Sequence, residues 1–184
     1  MPFLIVWWVV VLVLLFVVWL YNKLVAMKNT VDGALADIDV QMKMRFDLVE
    51  NLVNTVKWYA THEKETLERV IAARNTYMSA TSPTEKADAN NQLTTTLKSL
   101  FAISESYPDL KANAGFLDLQ SKLTELEDKI ASARRYFNAT IKEYNTSLQS
   151  FPSNIIAGLF GFKNQQDYFA VSSEEEKVAP KVQF

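Results

Sequence analysis

The sequence contains no cysteine and a single histidine, His62. Without thiols, disulfides and thiolate chemistry are excluded, and cysteine usage cannot indicate a redox compartment. One histidine leaves little scope for a histidine-based metal site. Four glycines and five prolines are few for 184 residues. Clusters of these residues are the usual marks of turns between strands, so a helical chain is expected. There is no basic excess either. Charged residues are 22% and the net charge is −2, so nothing suggests a nucleic-acid partner. The most telling absence is local: residues 1–22 carry no charged side chain at all.

Within that stretch, Phe3 to Tyr21 form an unbroken apolar run of 19 residues, FLIVWWVVVLVLLFVVWLY. At ~1.5 Å per residue such a helix covers ~29 Å, close to the hydrocarbon thickness of a bilayer. Trp7, Trp8, Trp19 and Tyr21 include ring donors suited to the headgroup level. A cleaved signal would need a basic start, a shorter apolar stretch and small residues at the cleavage site. Here no Lys or Arg precedes the run, and bulky Trp19, Leu20 and Tyr21 end it. The run reads as a retained anchor in a lipid bilayer. An all-apolar core helix would need more surrounding protein than this chain offers. The first basic residues, Lys23 and Lys28, follow the run, with Asp32, Asp37 and Asp39 close behind. The positive-inside tendency then places the N-terminus outside and the helical domain in the cytoplasm.

Beyond the anchor, apolar residues recur in steps of three and four. Val31, Leu35, Ile38, Met42, Phe46, Val49, Leu52, Val56 and Tyr59 make one stripe. It resumes at Leu67, Val70 and Tyr77 after the polar interruption His62 to Glu65, where the helix turns or changes partner. Ser82-Pro83-Thr84-Glu85 has the form of a capping box with proline at the first helical position. A second helix starts there, carries Leu93, Leu97 and Leu100, and stops at Tyr107, before Pro108. A third runs from about Ala114 to Phe151, with a heptad-like stripe at Phe116, Leu119, Leu123, Leu126, Ile130, Ala133 and Phe137. The fold class expected is all-α. An N-terminal transmembrane helix continues into an elongated antiparallel bundle of three long helices plus a short C-terminal helical segment. The chain divides into an anchor (1–22), the bundle (23–151), an aromatic segment (152–170) and a charged tail (171–184).

Lengths raise a question. A straight first helix to Ser79 would be ~85 Å, the second ~37 Å and the third ~57 Å. The membrane-proximal stripe Val31, Leu35, Ile38, Met42, Phe46 and Val49 would then find no partner in its own chain. Either the first helix breaks, or the stripe pairs with other copies in a homo-oligomer. The second is taken as the working expectation.

Sites with chemistry are thin. His62-Glu63 lacks the second histidine, four residues on, that a zincin helix needs; position 66 is Thr66. Glu63, Glu65 and Glu68 lack the Glu-x-x-His pairs of a di-iron bundle, since Tyr59 stands three residues before His62. No catalytic, metal or cofactor residues are assigned. Asp39, Arg45, Asp47, Arg74, Arg134 and Arg135 lie close to apolar stripes. They read either as ion pairs that fix register within the bundle or as a partner-binding face. Phe151, Ile155, Ile156, Leu159, Phe160 and Phe162 read either as a cap over an open end of the bundle or as a docking element for lipid or another membrane protein.

Several stretches together resemble the LemA family: Tyr21-Asn22-Lys23-Leu24-Val25, Ile38-Asp39-Val40-Gln41, Arg45-Phe46-Asp47-Leu48, Asn51-Leu52-Val53, Tyr59-Ala60-Thr61-His62-Glu63, Tyr107-Pro108-Asp109-Leu110-Lys111-Ala112-Asn113, Ala133-Arg134-Arg135, Tyr144-Asn145, Phe151 to Phe162 and Pro180 to Phe184. They occur in the family's order over nearly the whole chain. The resemblance implies a bacterial single-pass membrane protein with a helical-bundle domain, and it implies no activity. Glu50 replaces a common proline, which should straighten the first helix. Trp58 replaces a common glycine and adds a ring that needs a neighbour to cover it, and Ala114-Gly115 replaces a more polar pair. The function expected is a non-enzymatic, self-assembling scaffold or adaptor at the bacterial cell membrane. The alternative is an accessory subunit or regulator of a membrane protease or envelope-stress complex.

Overall fold

The computed structural model describes residues 2–169. The charged tail 171–184 and the family-like residues Pro180 to Phe184 lie outside the described residues. Among the described residues all regular structure is helical, so the fold is all-α. The helices are α1 (Pro2–Tyr59), α2 (Lys64–Ser79), α3 (Pro83–Ile103), α4 (Pro108–Lys111), α5 (Ala114–Gln149) and α6 (Ser153–Phe160). A 3-10 turn, Ser104–Ser106, separates α3 from α4.

The local signals act where the sequence places them. Ser82 accepts a hydrogen bond from the Glu85 N–H, and the Glu85 carboxylate accepts from the Ser82 N–H. This reciprocal pair satisfies two of the N–H groups that a helix start leaves open. Tyr107 leaves helical geometry at φ −125° and ψ 83°, as the following proline demands. Asn113 Oδ1 accepts the Phe116 N–H at 3.0 Å and opens α5. Gly161 closes α6 at φ 71°, a left-handed conformation that glycine adopts without a Cβ penalty.

The helices form two compact units, to both of which α1 and α5 contribute. One unit comprises residues 38–134 with 167–169. On α1 and α2, Glu50 pairs with Arg74 at 3.6 Å, and Asp39 accepts the Tyr77 hydroxyl at 3.2 Å. Numbers rise on one helix as they fall on the other, so α2 runs antiparallel to α1. Lys86 reaches Asp39 and Asn90 reaches Arg45, so α3 runs parallel to α1. Arg45 pairs with Glu127, and Tyr59 accepts from Asn113 at 3.0 Å, so α5 is antiparallel again. The result is an up-down-up-down four-helix arrangement. Its core includes Met42, Val49, Leu52, Val70, Leu93, Leu97, Leu100, Phe116, Leu123 and Ile130.

The other unit comprises residues 2–37 with 135–166: the first part of α1, the end of α5, and α6. Leu20, Leu24, Val31 and Ala34 on α1 and Phe137, Ile141, Tyr144 and Leu148 on α5 are buried there. Residues 3–19 stay largely exposed, and α1 is long and apolar enough there to be a candidate membrane span.

Three expectations are corrected. The first helix does not reach Ser79: it ends at Tyr59, the chain turns at residues 60–63, and α2 returns along it. The proposed self-association stripe is therefore not left bare. Val31, Ile38, Met42, Phe46 and Val49 are buried in the single chain, and Leu35 is half-buried. With two antiparallel helices in place of one straight extension, the chain supplies its own cover. Trp58, expected to find a neighbour, is 85% exposed. It stands in the last turn of α1, on the side away from the buried Val56 and Ala60.

Candidate functional site

Three clusters carry polar or aromatic chemistry. The first is buried in the four-helix unit. Arg45, 2% exposed, donates to Asn90 Oδ1 at 2.5 Å and Thr94 Oγ1 at 3.1 Å, and pairs with Glu127. Thr94 in turn donates to the Glu127 carboxylate at 3.2 Å. Burial pushes the Arg45 pKa down, and the Glu127 charge opposes that shift. The node ties α1, α3 and α5 together in one register. Within it, Arg45 Nε and Asn90 Nδ2 are buried without a hydrogen-bond partner, and the Glu127 side chain stays 35% exposed.

The second cluster lines a groove of about 350 Å³ between α1, α2 and the start of α3. Lys86 Nζ lies 2.7 Å from Asp39, the Tyr77 hydroxyl donates to the same carboxylate, and the Tyr77 ring packs edge-on to Phe46 at 5.2 Å. Burial, then the Asp39 charge, raise the Tyr77 pKa. Arg74 lies over the Phe46 ring and pairs with Glu50. Asp39, Arg45 and Arg74 thus pair within the bundle, the first of the two readings their positions allow. Arg134 lies over the Phe169 ring at 5.3 Å.

The third cluster belongs to the unit that holds the candidate span. Its apolar run ends at Tyr21, whose ring centroid lies 4.9 Å from that of Phe160 and 5.7 Å from that of Phe162. Ile156 and Ala157 on α6 are buried, Phe162 is half-buried, and Phe151, Ile155, Leu159 and Phe160 are exposed. The segment thus has one face turned into its own unit and one left bare. After α6 the chain is clamped to α5. Asn145 Nδ2 donates to the Gln165 carbonyl at 2.6 Å, and the Gln165 N–H donates back to Asn145 Oδ1 at 2.9 Å. Beside this clamp is a cleft of about 540 Å³ lined by Tyr21, Lys28, Tyr144, Phe160, Gly161 and Lys163, among others. Burial, then the nearby Asp32 charge, raise the Tyr144 pKa.

Periodicity alone does not reveal the clamp or the cleft. Asn145 looks like one more polar residue beside the stripe, and the Gln165 backbone it meets lies beyond α6. His62 lies exposed in the turn between α1 and α2. Among the described residues no group of three or more His, Cys, Asp or Glu side chains is placed to hold a metal ion.

Residues 34–184 match the sequence model of the LemA family. Protein LemA of Metamycoplasma hominis is 27% identical over 161 residues, which is 85% of this chain and 71% of that protein. Magnetosome protein MamQ of Magnetospirillum gryphiswaldense is 36% identical over 70 residues, 38% of this chain but only 25% of MamQ. Magnetosome protein MamQ 2 of Paramagnetospirillum magneticum is 34% identical over the same length, again 25% of that relative. Neither name, LemA or MamQ, designates an enzyme.

Proposed function

Because the chain belongs to the LemA family, we propose that it works by binding: a membrane-anchored, non-enzymatic helical scaffold or adaptor that self-assembles. The observation that carries this reading is the build of α1. Its N-terminal part is an exposed apolar run, and the buried stripe Leu20, Leu24, Val31 and Ala34 continues from it with no loop between. The anchor is therefore a structural member of the unit it holds, and a force or contact on one is felt by the other. The polar clusters support binding over catalysis, because their charges are already used in holding helices together.

Self-assembly is assigned to the anchor. The stripe from Val31 to Val49 is occupied inside the chain, whereas residues 3–10 and 12–16 present bare apolar surface all round. A cytoplasmic bundle is supported by Lys23 and Lys28, which follow the span while no Lys or Arg precedes it.

The test is purification of the full chain from its native membrane in mild detergent, with mass and composition determined together. An assembly of several copies is the expected result. One enzyme bound at fixed stoichiometry would favour the accessory-subunit role instead. A bare monomer would overturn both. Orientation is read separately by placing a single cysteine at Ser79 and labelling intact cells with a membrane-impermeant maleimide. Labelling of intact cells would put the bundle outside.

A further inference from the structure

The two faces of α6 differ sharply. Ile156 and Ala157 are buried within their unit, but Ile155 and Leu159, one helical turn apart, are 58% and 75% exposed. Phe160 beside them is 52% exposed and Phe151, just before the helix, is 81% exposed. From Phe151 to Phe162 there is no charged residue. A bare apolar patch outside the long apolar run marks a contact surface.

The ring contacts set its level. Phe160 and Phe162 both pack on Tyr21, the last residue of the apolar run. Leu20, one residue earlier, is 4% exposed, although most of the run is bare. So α6 stands beside the final turn of the span, where hydrocarbon gives way to headgroups. Charge follows the same level. Lys23 lies over the Trp19 ring at 5.6 Å, and Lys163 follows the apolar segment directly.

We infer that α6 is an interfacial helix, inserted by its outer face into the leaflet from which α1 emerges. Phe151, Ile155, Leu159 and Phe160 enter the acyl boundary, and Lys23 and Lys163 meet lipid headgroups. The inference rests on the membrane-anchored reading above. The occupant is lipid and not a second copy of the chain, because the patch is continuous with the span. Bilayer reaches it in whatever oligomeric state the span is found. Interfacial helices of this kind bury their apolar face ~5–10 Å into the boundary. A second point of contact beside α1 stops α1 from rotating about its own axis, so one fixed side of its unit faces the membrane.

The absence of cysteine makes the test direct. Single-cysteine variants Ile155→Cys and Leu159→Cys of the full chain carry a nitroxide label, with Leu12→Cys as the span reference and Lys142→Cys as the water reference. Each is reconstituted into phosphatidylcholine–phosphatidylglycerol vesicles, and collision rates with oxygen and with a water-soluble nickel chelate are compared. The oxygen-to-nickel ratio at 155 and 159 should move away from the Lys142 value and toward the Leu12 value. Ratios matching Lys142 would overturn the inference. So would labels shielded from both reagents, since protein would then cover the face. If Leu12 itself behaves like Lys142, the anchor reading fails, which is a separate outcome. Two positions guard against one substitution disturbing the fold, and circular dichroism of each variant checks its helicity.

Discussion

Removing the Arg45 side chain tests how the four-helix unit is held. Arg45 sits 2% exposed at the centre of a node that includes Asn90, Thr94 and Glu127. Arg45→Ala takes away two charge-assisted hydrogen bonds and one ion pair. It leaves Asn90 Oδ1 as a buried acceptor without a donor, which costs about 1–3 kcal/mol. Breaking a buried pair by deleting one partner costs about 3–5 kcal/mol in general. Glu127 keeps 35% of its side-chain exposure and can re-enter water. The lower end of that range therefore applies, about 3 kcal/mol. At ~2–4 °C per kcal/mol for a chain of this size, Tm should fall by about 6–12 °C. Melting of the full chain in detergent, followed by circular dichroism, measures it. The double variant Arg45→Met, Glu127→Leu should lose less than the sum of its single changes, because the second change removes the charge that the first has orphaned. A Tm loss under about 2 °C for Arg45→Ala, or simple additivity in the cycle, would refute the reasoning.

Other outcomes follow from the same physics. Ser82→Ala removes one half of the α3 capping box and should cost about 1 kcal/mol, seen as a small drop in Tm. The Glu85 carboxyl in that box is held below its usual range, first by the Thr81 N–H and then by the Ser82 N–H. Its contribution is complete above the unfolded value near ~4.3 and fades as pH falls through the lowered folded value. Glu85→Gln should accordingly make stability less sensitive to pH in that acid window, measured by melts across it. At the alkaline end, Tyr77, Tyr107 and Tyr144 all have raised pKa values, each chiefly through burial. Above about pH 10 the unfolded chain then binds fewer protons than the folded one, and stability falls with rising pH. Phenolate absorbance of the folded protein should lag behind that of the denatured protein, and Tyr77→Phe should remove part of the alkaline loss.

The parts of the fold that local chemistry dictates were legible in the sequence. The charge-free run, the Ser82-Pro83 start, the Tyr107-Pro108 stop and the stripe from Phe116 to Phe137 each follow from neighbours a few residues apart. The turn at residues 60–63 shows locally only as the polar interruption His62 to Glu65, which leaves a turn and a change of partner equally open. It holds no proline or glycine, and its cause is long-range: α2 comes back to bring Tyr77 and Arg74 onto Phe46. The length argument sees that something must give there but weighs the wrong solution more heavily, and the stripe from Val31 to Val49 is covered by the chain itself. Arg45 shows the same limit. Its place near the stripe suggests an ion pair, but Glu127 on α5 cannot be singled out by spacing. For the aromatic segment, composition shows six apolar side chains, and only the structure divides them into an inner face at Ile156 and an outer one at Ile155 and Leu159.

The central claim is that α1 serves two ends at once, its bundle stripe satisfied within the chain and its span left for assembly. Disulfide cross-linking in native membranes tests this most directly, with single cysteines placed in turn at positions 9–16 of the span and at Ile38 and Met42 of the stripe. The account predicts covalent dimers from the span, strongest on one helical face, and none from Ile38 or Met42. Dimers through Ile38 or Met42, or no dimer at any span position, would contradict it.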